Sequence, residues 1–138
     1  MSVSEDERAE LLKNATAAAG QAYAPYSGFR VGAAVRTLEG NLFVGCNVEN
    51  ASYGLTICAE RSAVFAAVCA EGPSMRLAAV AIVNADGAPC PPCGACRQVI
   101  DEFGREAQVT FEGDEGLISE PLSSLLPHGF QLESRVDP

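Results

Sequence analysis

Near the N-terminus the apolar positions recur at helical spacing. Leu11, Leu12, Ala15, Ala18, Ala19 and Ala22 form one stripe, which predicts a helix over 4–22. Ser4, with Glu7 three residues on, supplies a capping box at its start. Gly20 and the segment "APYSG" end it. The period then shortens to two. "FRVGAAVRT" and "LFVGCNV" alternate around "LEGN", the signature of a hairpin. "NASYG" reads as loop. "CAERSAVFAAVCAEG" is a second helix, stopped at Gly72–Pro73. "LAAVAIVNA" is an unbroken apolar run, as expected of a buried strand. "PCPPCGACRQVIDEFG" opens on prolines and continues as a third helix closed by Gly104. "AQVTFEG" is a short strand, and "SEPLSSLLPHGF" predicts a short last helix followed by a tail. The order α-β-β-α-β-α-β-α belongs to the α/β class: a mixed sheet with helices on both faces. No repeat, linker or low-complexity segment interrupts it, so one domain is expected over residues 1–138.

Composition narrows the function. The chain of 138 residues is nearly half hydrophobic and one fifth charged, which is globular and not disordered. No apolar run reaches the roughly 18 residues of a membrane span, so no membrane association is expected. The start, "MSVSEDERAELLKN", is too polar and acidic for a secretory signal, which points to the cytoplasm. A net charge of −9 with scattered basic residues disfavours nucleic acid as a partner. A neutral small molecule fits better.

Six cysteines in a reducing compartment are better read as ligands or buried hydrophobes than as disulfides. Cys93 and Cys96 form C-x-x-C where the third helix begins, and Cys58 stands where the second begins. A thiolate at a helix N-terminus is stabilised by the helix dipole and by free backbone N–H groups. Three such thiolates can converge on one zinc ion, and three protein ligands leave a fourth position open for chemistry. A redox pair, or a structural zinc with Cys90 as fourth ligand, are the competing readings. The stiffness of Cys90-Pro-Pro-Cys93 argues against all three of its cysteines reaching one metal, because both prolines fix φ. His128, the only histidine, lies outside any ligand spacing. Cys46 and Cys69 read as small buried hydrophobes. Glu60 alone would pass for a solvated acid at a helix start, but beside a ligand it stands within one turn of the metal.

Taken together, "CAER" at 58–61 and "PCGACRQ" at 92–98 resemble the zinc-dependent cytidine deaminases. "YAPYSGFRVGAA" at 23–34 and "FVGCNVENAS" at 43–52 are similar to further segments of that family. The resemblance is to its short-chain, homotetrameric form and covers roughly residues 8–130. It implies a three-layer α-β-α fold with a central mixed sheet of about five strands. It also implies a nucleoside substrate and one Zn²⁺ per chain held by Cys58, Cys93 and Cys96. Glu60 would shuttle the proton. Asn47 and Glu49 would bind the ribose hydroxyls, and Phe29 would pack on the pyrimidine. The backbone N–H of Ala59 would meet the base carbonyl, and the carbonyl of Pro91 the departing amine. Proline stands where the family often has Ser or Thr, but it keeps that carbonyl. Arg61 and Arg97 would hydrogen-bond the zinc thiolates, and Phe130 would reach a neighbouring subunit's site.

The implied activity is the hydrolytic deamination of cytidine and 2′-deoxycytidine in pyrimidine salvage. A blasticidin-type aminonucleoside deaminase shares the zinc motifs, but the "NVENAS" segment favours cytidine. A carboxylate at Glu49 would repel phosphate, which favours nucleosides over nucleotides. A structural zinc or redox module without turnover is the reading from another class.

Overall fold

The computed structural model describes residues 3–133. Helix α1 (Glu5–Ala19) starts with the expected capping box: Glu7 N–H donates to Ser4 Oγ at 3.1 Å, and Ser4 N–H donates to the Glu7 carboxylate. Strands β1 (Val31–Thr37) and β2 (Leu42–Cys46) form the hairpin. Helix α2 (Ala59–Glu71), strand β3 (Leu77–Asn84), helix α3 (Gly94–Phe103) and strand β4 (Gln108–Gly113) follow where the pattern placed them. Strand β5 (Gly116–Pro121) and one turn of helix, α4 (Leu122–Leu125), end the ordered sequence of elements.

The sheet runs β2-β1-β3-β4-β5. Only β3 and β4 are parallel, joined across one face by α3; the other neighbours are antiparallel. Helix α1 packs on one face, and α2 and α3 lie together on the other, which gives three layers. The two faces are built differently. The α2/α3 side carries Val31, Val35, Val80, Ile82, Val109 and Phe111. The α1 side is lined by Ala34, Ala79 and Ala81 against Leu11 and Ala15, so α1 approaches closely.

One prediction fails here. The residues from Ser119 to Pro121 were expected in the last helix, but they complete β5. Gly113 and Gly116 pair across a tight turn, with Gly116 at φ +116°, and the chain reverses onto β4. "SEP" before leucines imitates a helix start, and the alternation in "GLISE" is too short to outweigh it.

Two glycines set the layer spacing. A Cβ at Gly32 would fall on the backbone of Ala15 and Ala19 in α1. A Cβ at Gly45 would collide with the first turn of α2, 2.7 Å from the Ala59 carbonyl oxygen. Both helices therefore rest on the sheet by backbone contact.

Candidate active site

Cys58 is the N-cap residue of α2, Cys93 is the N-cap of α3, and Cys96 sits in the first turn of α3. Because α2 and α3 lie side by side, their N-termini bring these three sulfurs within 4.8 Å of one another. Cys90 stands outside the cluster, as does His128. Cys93 Sγ accepts from the Cys96 N–H at 3.4 Å. The Cys58 thiol is pulled down to about 5, first by the Cys96 thiol that donates to it and also by Arg61. The same pairing pushes the Cys96 thiol up. Three sulfur donors gathered at two helix N-termini fit a zinc ion, which binds thiolates and displaces their protons.

Arg61 reaches the cluster, donating from Nη2 to Cys58 Sγ at 3.1 Å. Arg97 does not. It was expected on a thiolate, but its guanidinium donates to the carbonyls of Pro92 at 2.8 Å and Leu125 at 2.9 Å. It braces the loop before Cys93 against α4.

Glu60 is 5 % exposed, although it is an acidic residue in the first turn of α2. Burial raises its pKa, with the negative Cys58 sulfur acting in the same direction. It lines a pocket of about 190 Å³ with Phe29, Asn47, Ala59, Pro91 and Cys90, beside the sulfurs of Cys58 and Cys93. Cys90 is thus a wall of this pocket, and burial pushes its thiol up to about 11. An adjoining cavity of about 370 Å³ contains Tyr26, Ser27, Glu49 and Tyr53, and Thr56 lines both.

The pocket rim is a strap of backbone pairings. Tyr23 bridges Val48, and Val48 bridges Ile57, the residue before Cys58. Asn47 fastens the strap: its Nδ2 donates to the Phe29 carbonyl, and its Oδ1 accepts from Val31 N–H, both at 2.8 Å. Glu49 accepts from the N–H groups of Tyr26 and Ser27 and from the Ser27 hydroxyl. That hydroxyl is the main reason its carboxyl lies below the usual carboxylate range. Both residues therefore shape the loop that presents Phe29, a role that sequence reasoning missed. "PYSG" read as a helix stop and as part of a family-like segment, and neither reading gave Ser27 a task.

Phe130 is not in the pocket of its own chain. It is 66 % exposed, in the tail after α4. Cys69 was expected to be buried but is exposed on the outer side of α2, and Cys46 is half-buried.

A mixed sheet that aims two helix N-termini at one three-thiol cluster, with a buried carboxylate beside it, defines a zinc centre built for chemistry. The family model for the cytidine and deoxycytidylate deaminase zinc-binding region matches residues 5–112. The cytidine deaminase of Halalkalibacterium halodurans is 45 % identical over 133 residues, 95 % of this chain and 99 % of that protein. The cytidine deaminase of Mycobacterium tuberculosis is 48 % identical over 128 residues, 89 % of each. Its crystal structure superposes with a TM-score of 0.81 at 44 % identity, covering 91 % of this chain and 98 % of that one. The Burkholderia pseudomallei cytidine deaminase also gives 0.81, at 44 % identity, with 93 % and 100 % covered. The chain belongs to the zinc-binding cytidine and deoxycytidylate deaminase family, and its three-layer fold is that of the cytidine deaminases.

Proposed function

We propose that this protein hydrolyses the 4-amino group of cytidine and 2′-deoxycytidine, giving the uracil nucleosides and ammonia in pyrimidine salvage. The observation that carries the reading is the placement of Glu60, a nearly buried carboxylate beside three converging thiols on the wall of one small pocket.

Cys58, Cys93 and Cys96 would hold one zinc ion per chain. Bound there, zinc supplies the Lewis acidity that makes a water nucleophilic near neutral pH. Arg61 draws charge from the Cys58 sulfur and offsets the electron-rich character of three thiolates. Glu60 takes a proton from the attacking water and passes it to N3 of the ring, then takes the remaining proton of the hydroxyl added at C4 and gives it to the amine, which leaves as ammonia as the C4 carbonyl forms. A carboxyl whose pKa burial has raised suits both directions of transfer. The free Ala59 N–H at the start of α2 meets the base carbonyl, the Pro91 carbonyl faces the amine, and Phe29 covers the ring. The N–H and lone pair left over on Asn47, with Glu49, contact the ribose at the junction of the two cavities. Among the described residues no helix is long and apolar enough to cross a membrane. A cytoplasmic homotetramer completes the reading, with Phe130 of each chain closing the pocket of a neighbour.

The test is the ultraviolet loss of cytidine with and without a zinc chelator, together with metal analysis. Chelator-sensitive turnover with one zinc per chain supports the proposal. Zinc without turnover on any cytosine nucleoside would leave a structural module. Comparable kcat/KM for cytidine and its 5′-monophosphate would contradict the role given to Glu49.

A further inference from the structure

Helix α3 begins at the thiol cluster, but its next turn holds something else. The Gln98 side-chain amide clasps the backbone of Phe130 from both sides: Nε2 donates to the Phe130 carbonyl at 2.8 Å, and Oε1 accepts from the Phe130 N–H at 3.1 Å. One turn along the helix, Asp101 lies against Gly129, where a Cβ would collide with the Asp101 carboxylate. Arg97, on the preceding residue, holds the Leu125 carbonyl. The tail after α4 is thus fixed to the same helix that carries Cys93 and Cys96.

The fixed residue is an odd one to fix. The Phe130 ring is largely exposed and packs on no core cluster of its own chain. Two hydrogen bonds to one residue's backbone fix the direction of its Cα–Cβ bond, so the clasp aims an aromatic ring outward. An exposed ring gains nothing from being aimed unless something receives it.

We infer that Gln98 is a positioning residue for the reaction: it clamps the Phe130 backbone so that the ring is presented, already oriented, to the substrate pocket of a second copy of this chain. The inference rests on the reading that Phe130 closes a neighbour's pocket. Preorganisation matters because ordering the tail only on binding would weaken the closed pocket. The clasp also ties pocket closure in one copy to the thiol-bearing helix of another.

The test uses the full-length zinc-loaded protein. Gln98→Ala is expected to raise KM for cytidine about fivefold to tenfold, the equivalent of one lost hydrogen bond or slightly more. Its kcat should stay within about twofold, with zinc content and oligomeric state unchanged. Gln98→Glu is the control for volume and helix propensity: it matches glutamine in shape but opposes a carboxylate oxygen to the Phe130 carbonyl. It is expected to behave like the alanine variant; full activity in Gln98→Glu would mean that packing alone matters and would overturn the inference. Hydrogen exchange reads the clasp directly, and the Phe130 amide should lose protection in Gln98→Ala. Unchanged protection would show that no clasp exists. The Phe130→Ala variant tests the underlying reading separately, because wild-type kinetics there with an intact clasp would remove the role of the ring. The double variant should be no worse than Phe130→Ala, and additive losses would show two unrelated effects.

Discussion

Glu60 and Glu49 are both carboxylates near one pocket, and their surroundings push them apart. Glu60 is buried and its pKa is raised; Glu49 is fed by three donors and its pKa is lowered. Glu60→Gln should therefore keep fold and zinc content while kcat falls by about 10²–10⁴. Steady-state kinetics beside metal analysis checks this, and near-normal turnover would remove Glu60 from the chemistry. For Glu49 the folded state favours the charged form. Its contribution to stability is full above the ordinary carboxylate value of 4.5 and is lost as pH falls through the lower folded-state value. On acidification through that window, wild type should lose its melting-temperature advantage over Glu49→Gln. Parallel melting curves would contradict this. The motifs made Cys58, Glu60, Cys93 and Cys96 legible in the sequence, because a C-x-x-C and a C-x-E have a spacing. The bonds of Asn47 to Phe29 and Val31, of Ser27 to Glu49 and of Arg97 to Leu125 have no such spacing. They join residues that are adjacent only after folding, so the tasks of these three were not legible.

At the scale of elements, the long periodic segments were readable because burial imposed their period. Helix α1, the β1–β2 hairpin, α2, β3 and α3 each bury one face or both. Strand β5 hid because none of its residues is fully buried and its last three, 119–121, have the composition of a helix start, so its pattern is weak. The two glycines that hold α1 and α2 on the sheet looked like ordinary strand glycines until the helices were in place. Gly45→Ala must push the first turn of α2 off β2. A loss of about 1–3 kcal/mol is expected, with a fall in kcat, because Cys58 and Glu60 ride on that turn. Chemical denaturation and kinetics on one preparation would check both, and unchanged stability would show that α2 can shift freely.

For the molecule as a whole, Cys58 and the Cys93–Cys96 pair belong to separate crossovers, so the cluster exists only once the sheet is assembled. A ligand bound there stabilises the fold by mass action, about 2.7 kcal/mol at a hundredfold excess over its Kd. A chelator should therefore lower the melting temperature and abolish turnover together, and Cys96→Ala should show both effects without chelator. Light scattering is expected to give a mass near four chains, and a monomer would remove the role proposed for Phe130. The joint at Gly45 has a consequence for mutational tolerance. Where α2 meets the sheet at its first turn, the three atoms nearest a Cβ at Gly45 are the Ala63 nitrogen, the Ala59 carbonyl oxygen and the Ser62 Cβ, so the contact is set chiefly by backbone. Repacking Val64, Val80 or Ile82 would change how strongly the layers adhere, but not the distance at which this turn sits. Variants at those positions should become thermolabile long before their KM changes. The chain can thus drift widely in its interior sequence while its chemistry stays in register.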